Sequence, residues 1–247
     1  MKAFSALFRT ELKLSLRGMD MFIFAICMPV VVLIILGTVF GNRPAFNGAN
    51  YTFLEQSFGA VATIAICAGG VMGLPLVVSD YRHKKILKRF KVTPTSPTLI
   101  LAVQVVIYAL YSIISLILVY ETATVFFGYQ LHGSCFSFLG AYLLVMISMF
   151  SIGLLVGGIA PNIKIASVLA SVLYFPMLIF SGATLPYEVM PVALQKVADL
   201  LPLTQGIKLL KATSLGLPIN SVLLSAVVMI MLAIICTGIS IHFFKWE

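Results

Sequence analysis

The sequence predicts an all-α integral membrane protein with six transmembrane helices. Three observations carry that prediction. Of the 247 residues, 61% are hydrophobic and only 10% are charged. Mean hydropathy is +1.10. Apolar runs of roughly the ~20 residues that cross a bilayer recur between short polar breaks. A soluble domain carries about a quarter of its residues as charges, so this composition excludes that class. Six spans of ~20 residues consume ~120 positions, and no stretch remains for a separate soluble domain. The chain therefore reads as one transmembrane domain over 1–247. It comprises an interfacial helix over 1–20, spans 1–5 over 21–183, broken external helices over 184–221, and span 6 with the C-terminus over 222–247.

In residues 2–17, Phe4, Leu7, Phe8, Leu12 and Leu16 share one broad helical face. Arg9, Lys13 and Arg17 recur every four residues on another. That pattern predicts an amphipathic helix lying in the membrane interface and ending at Gly18. With its early charges and no small-residue cleavage site, it does not read as a cleavable signal. Span 1 runs over about 21–40 with a proline, Pro29, inside it. A polar loop of Asn, Gly and Pro follows, and span 2 covers about 58–78. Next comes the densest charge run, Asp80-Tyr-Arg-His-Lys-Lys-Ile-Leu-Lys-Arg-Phe-Lys91, closed by Thr93-Pro-Thr-Ser-Pro97. Span 3 runs over about 99–120 and stays apolar to Phe127. Span 4 covers about 136–159 after a short turn at 128–134. Span 5 covers about 165–183 and is interrupted by Pro176. Residues 184–221 are apolar but broken by Pro186, Pro191, Pro202, Gly206, Gly216 and Pro218. They predict two short helices that dip into or lie on the outer surface, each too short to span. Span 6 covers about 222–244.

Lys and Arg set the orientation. With the N-terminus inside, twelve of the sixteen fall on the cytoplasmic side, and Arg43, Lys196, Lys208 and Lys211 face outward. This positive-inside bias puts both termini in the cytoplasm. The net charge of +8 therefore belongs to juxtamembrane clusters facing anionic lipid or an acidic partner, and no nucleic acid is expected.

The loop 80–91 holds six basic residues in ten positions, more than topology requires. Ile86, Leu87 and Phe90 sit among them at helical spacing, which predicts a short amphipathic cytoplasmic helix suited to docking on a protein partner. Nothing in the chain reads as enzymatic. His83, His132 and His242 are scattered, no carboxylate pair or nucleophile–base arrangement is present, and no G-x-x-x-x-G-K-[ST] occurs to cradle phosphates. Cys27, Cys67, Cys135 and Cys236 have neither disulfide nor zinc spacing, and no metal site is expected.

The charge run followed by Val92-Thr93-Pro94 resembles the first cytoplasmic loop of type-2 ABC exporter permeases, where an acidic-Arg-rich stretch leads to "L-x-x-T-P" before the third span. Phe175-Pro-x4-Phe180-Ser-Gly-Ala-Thr-Leu-Pro186, then Pro202-Leu-Thr204, is similar to that family's "S-G-x-x-x-P" and external "P-L-T". The resemblance covers essentially the whole chain in order. One departure is the absence of a second acid in Asp80-Tyr81-Arg82-His83. The compact loops match the drug, lipid or polysaccharide branches.

What the resemblance implies is the membrane subunit of an ATP-driven exporter, moving an amphiphilic or hydrophobic cargo such as a drug, antimicrobial peptide or lipid. The expected location is a bacterial cell membrane. Partners would be two cytoplasmic ABC ATPase subunits and a second, identical or homologous permease, within membrane lipid. ATP and Mg would sit on the ATPase, with no cofactor in this chain. Coupling to the ATPase would fall to Asp80, Arg82, Lys84, Lys85, Ile86, Leu87, Lys88, Arg89 and Phe90, with Arg9 and Lys13 of the N-terminal helix. Ser181, Gly182, Pro186 and Pro202 would form an external gate.

Two other readings compete. A secondary transporter shows mid-span ionisable groups and inverted repeats, and neither is evident. A scaffold has no need of a docking loop joined to a broken external hairpin. Glu121 reads as reaching headgroup water at the outer end of span 3. Gly69-x3-Gly73 and Gly153-x3-Gly157 read as internal packing sites rather than a dimer seam. Tyr108 and Tyr111, or Phe175 and Phe180, either line a cargo path or face lipid.

Overall fold

The computed structural model describes residues 2–18, 20–41, 43–45, 51–86, 96–181, 187, 190–218 and 222–243. Nine helices account for the regular structure among them: α1 (Lys2–Gly18), α2 (residues 20–39), α3 (Phe53–His83), α4 (Pro97–Phe127), α5 (Cys135–Ile159), α6 (Ile163–Phe180), α7 (Val192–Asp199), α8 (Pro202–Leu215) and α9 (Leu223–Phe243). Five of these, α3, α4, α5, α6 and α9, are each long and apolar enough to cross a membrane. A sixth candidate arises only if α1 and α2, which are bent by 78° relative to each other, are taken together as one span.

Two of the spans contain a wide π-helical turn just ahead of a proline. In α2 it covers Ile23–Cys27, followed by Pro29; in α3 it covers Ala68–Gly73, followed by Pro75. Proline has no N–H and its ring crowds the preceding turn. The chain answers by letting Met28 N–H reach Ile23 O and Leu74 N–H reach Gly69 O, five residues back, which opens the turn. Pro176 behaves differently. The expected interruption of span 5 does not occur, and α6 runs through Pro176 to Phe180. The single lost donor lies near the helix end, where little of the ladder remains to be broken.

Helix α3 is the axis of the bundle. It packs against α2, α4, α5, α6 and α8, and 78% of its apolar window is buried, against 17% for α6. Its small residues allow this. A Cβ at Gly70 would enter the Phe150 ring, one at Gly153 would collide with the Gly70 carbonyl, and one at Gly157 would meet Pro75 and Val78. Backbone therefore lies directly on backbone between α3 and α5, a packing that only glycine permits. Gly73 likewise faces Met21 and the Tyr108 ring. The peripheral α6 and α9 leave long apolar faces uncovered, as lipid-exposed helices do.

Helix α4 runs for 31 residues and closes on Gly128 in the left-handed conformation at φ 67. From Pro97 to Glu121 it rises about 36 Å at ~1.5 Å per residue, more than the ~30 Å of a hydrocarbon core. Glu121 is exposed there. Tyr108 and Tyr111 are buried rather than lipid-facing, whereas Phe175 is half exposed.

At the end opposite the basic cluster, α7 and α8 behave unequally. Helix α7 stays at the surface, with Val192 and Leu200 exposed. Helix α8 sits among α3, α5, α6 and α9, burying Leu203, Ile207 and Leu210. Gly59 of α3 meets its backbone at Leu210–Lys211, and Gly206 meets Thr63 and Val145. Asp199 joins the pair by binding Lys208 at 2.6 Å and the Tyr187 hydroxyl at 2.9 Å. Burial, and then the Asp199 carboxylate, raise the Tyr187 pKa, so the hydroxyl keeps its proton and donates. Gln205 donates to Asp199 O at 2.5 Å and accepts from Ser225 of α9 at 2.7 Å. The 128–134 turn docks on the far end of α8, where Gly133 N–H donates to Ser214 O at 3.0 Å. His132 meets Glu55 of the α3 capping box at 2.9 Å.

Candidate coupling site at the basic end

The charge run does not begin with a separate helix. Asp80 and Arg82 belong to the last turn of α3, which ends at His83. The break falls at Lys84 and Lys85, with Lys85 in the left-handed region at φ 53. Asp80 is placed by the α3 ladder to pair with Lys84 at 2.7 Å, one turn on. Lys84 and Lys85 are exposed, and Ile86 turns back onto the core. Leu87, Lys88, Arg89 and Phe90 lie outside the described residues.

Arg82 points inward, unlike the exposed lysines after it. Its guanidinium Nη1 donates to the carbonyls of Gly158, of Ala160 at 3.2 Å and, more weakly, of Gly157 at 3.4 Å. These are the carbonyls left without an intrahelical partner at the end of α5. A cation there also meets the negative end of the helix dipole. The start of the basic segment is thus fastened to the end of span 4.

A second fastening ties it to α1. The Tyr81 hydroxyl and the Gln104 side-chain amide both donate to Glu11 Oε2, the amide at 2.8 Å, and Gln104 also donates to the Tyr81 oxygen at 3.1 Å. One turn further along, the Tyr111 hydroxyl donates to Ser15 Oγ at 2.9 Å. Phe4, Leu7, Phe8 and Leu12 pack onto the bundle core, and Leu14 and Leu16 remain exposed. The apolar face expected to lie in the membrane interface is therefore used largely against α4. Arg9 and Lys13 project outward from the opposite face and make no ion pair among the described residues.

Glu11, Tyr81 and Gln104 were not among the residues predicted for this site. A signal was present. Glu11 interrupts the apolar stripe three residues after Phe8, and Gln104 is the sole amide of its span. At the other end, Ser181 is buried and donates to Leu178 O at 3.1 Å, and Pro202 opens α8. Gly182 and Pro186 lie outside the described residues.

Among the described residues no cluster of His, Cys, Asp and Glu could hold a metal. All four cysteines are free, with Cys67 and Cys236 buried.

A helical bundle of this length with five to six apolar spans is a multi-pass membrane protein. A family model described as ABC-2 type transporter matches residues 2–215. The chain belongs to the ABC-2 type transporter family. It is similar to Nodulation protein J of Rhizobium leguminosarum bv. viciae, with 39% identity over 74 residues. That stretch is 30% of this chain and 29% of the relative.

Proposed function

We propose that this chain is the membrane subunit of an ATP-driven exporter, with its basic end in the cytoplasm. A separate ABC ATPase docks on the segment after α3 and on α1, and two permeases, each with its ATPase, make the working unit. The cargo is an amphiphile such as a drug, antimicrobial peptide or lipid.

Besides the family match, the observation that supports this reading is the double fastening of the basic segment. Tyr81 and Arg82 are neighbours in sequence, yet one engages α1 and α4 and the other engages α5. A push delivered at Lys84 and Lys85 is shared at once by α1 and by spans 2, 3 and 4. Rigid hydrogen-bonded contacts transmit such a displacement better than a free loop. The opposite end, with Ser181, Gly182, Pro186 and Pro202, would supply the external gate, and α8 is already inserted beside the axis helix.

The test is co-purification with an ATPase subunit and vanadate-sensitive ATP hydrolysis in the complex. Reversing charge at Lys84, Lys85 and Lys88 should abolish ATPase binding while membrane insertion persists. Normal assembly and export in that triple mutant would reduce the segment to a topology signal. Transport that persists without ATP would favour the secondary-transporter reading.

A further inference from the structure

Beneath α1, at its junction with α2, lies a cavity of about 300 Å³. It is walled by α1, α3 and α4, with Ile163 at one side. Among the described residues its polar lining consists of Glu11, Asp80, Ser15, Tyr81, Gln104 and Tyr108, with no lysine or arginine. Leu14, Met21, Leu76 and Val77 supply the apolar wall.

Two polar groups in this cavity have capacity to spare. Glu11 receives both of its hydrogen bonds on Oε2, and among the described residues its other oxygen accepts none. Tyr108 is 2% exposed and lines the cavity, yet its hydroxyl makes no hydrogen bond among the described residues. The ring is buried while the hydroxyl stays accessible, so a ligand atom in the cavity can bond to it. Asp80 adds a second carboxylate, half satisfied by Lys84. The set is anionic, rich in acceptors and flanked by tyrosine rings, which suits a cation. The volume lies at the small end of ligand pockets, large enough for a headgroup but not for a whole amphiphile.

We propose that this cavity binds the ammonium headgroup of an amphiphile, with Glu11 as the counter-charge and Tyr108 as a hydrogen-bonding wall. The first methylenes of the tail lie against Leu14, Met21, Leu76 and Val77. As a statement about cargo, this rests on the exporter reading, since it narrows the amphiphile to a cationic or zwitterionic amine. Gly73 keeps the site open, because a side chain there would press on Met21 and the Tyr108 ring.

The test uses the full chain in nanodiscs of phosphatidylglycerol, which carries no amine. The probe is an alkylammonium with a diazirine beside its nitrogen, compared with the alkyl sulfate and alkyl alcohol of the same length. Photolabelling by the ammonium should map to peptides containing 11–21, 73–81 and 104–108, with the sulfate absent from them. Glu11→Gln keeps the shape but removes the charge, and should raise the half-saturating concentration about tenfold, the worth of one charge-assisted hydrogen bond. Tyr108→Phe takes no part in fastening α1, so it reports on the cavity alone; it should weaken labelling about fivefold. Adding phosphatidylethanolamine identifies the source: displacement of the probe assigns the site to a lipid headgroup, and its retention assigns it to an amine cargo. Equal labelling by the sulfate, or wild-type labelling in both variants, overturns the proposal. No ATPase or ATP is present, so failure here is separate from failure of the exporter reading.

Discussion

Two alanine substitutions on one helix should act in opposite directions. Gly153 and Gly140 both lie in α5. A methyl group at Gly153 would collide with the carbonyl of Gly70 on α3, whereas one at Gly140 meets nothing within 4 Å. The obstacle at Gly153 is backbone, so no rotamer change relieves it and the two helix axes must separate. Separation would also loosen Gly157 against Pro75 and Val78. We therefore take the upper end of overpacking costs, about 3 kcal/mol. At about 2–4 °C per kcal/mol for a chain of this size, Gly153→Ala should lower Tm by roughly 6–12 °C. Gly140→Ala gains helix propensity at an open position, up to about 1 kcal/mol, and should leave Tm unchanged or raise it by roughly 2–4 °C.

The chain carries its own reporters for this measurement. Cys67 and Cys236 are buried and Cys135 is exposed. A thiol-reactive dye in detergent labels exposed Cys135 and then half-buried Cys27, setting the baseline, and reaches the buried pair only as the bundle opens. If both variants melt together, the α3–α5 contact does not have this geometry. If Gly153→Ala instead splits an oligomer at unchanged Tm, this glycine lines a seam between copies of the chain.

Three further substitutions probe the basic end and the spans. Arg82→Gln removes the cation from the end of α5 and should cost about 2 kcal/mol, a Tm fall of roughly 4–8 °C in the same assay; a shift below 1 °C would contradict the cap. Tyr81→Phe removes a donor from Glu11 and should speed tryptic cleavage at Arg9, Lys13 and Arg17 by roughly 5–30-fold, whereas an unchanged rate would mean the packing of Phe4 and Leu7 alone holds α1. Ser148→Ala deletes a 2.8 Å bond to Met229 O between α5 and α9, and because such bonds are worth only about 0.6 kcal/mol within a membrane, its Tm should fall by no more than about 3 °C.

The order of the spans was legible from hydropathy: five of the six expected segments are helices long and apolar enough to cross a membrane. The reason is that a helix must bury about 30 Å of apolar length whatever its neighbours are, so each span announces itself locally. Residues 80–91 show where local reading ends. Asp80 and Arg82 extend α3, and the break comes at Lys85, where a left-handed residue follows the helix. Arg82 looked like one cation among six, and only its distance to the end of α5, 75 to 78 positions along the chain, separates it from the exposed lysines.

Partner choice was less legible than span position, for a physical reason. Between apolar helices in lipid the hydrophobic effect favours no pairing over another, since lipid tails are as apolar as leucine. What selects neighbours is the absence of a side chain, which admits a backbone, or a polar atom that needs a partner. Here α3 meets α5 through Gly70, Gly153 and Gly157, and meets α8 through Gly59. It meets α1 and α4 through Tyr81, Glu11 and Gln104. Each of these residues is visible in the sequence as an exception within an apolar stretch. The exceptions show that a contact must exist, but the identity of its other half depends on geometry hundreds of atoms away. The acid in the apolar face of α1 and the lone amide of α4 are thus two halves of one statement, joined only when the 78° bend between α1 and α2 brings them together.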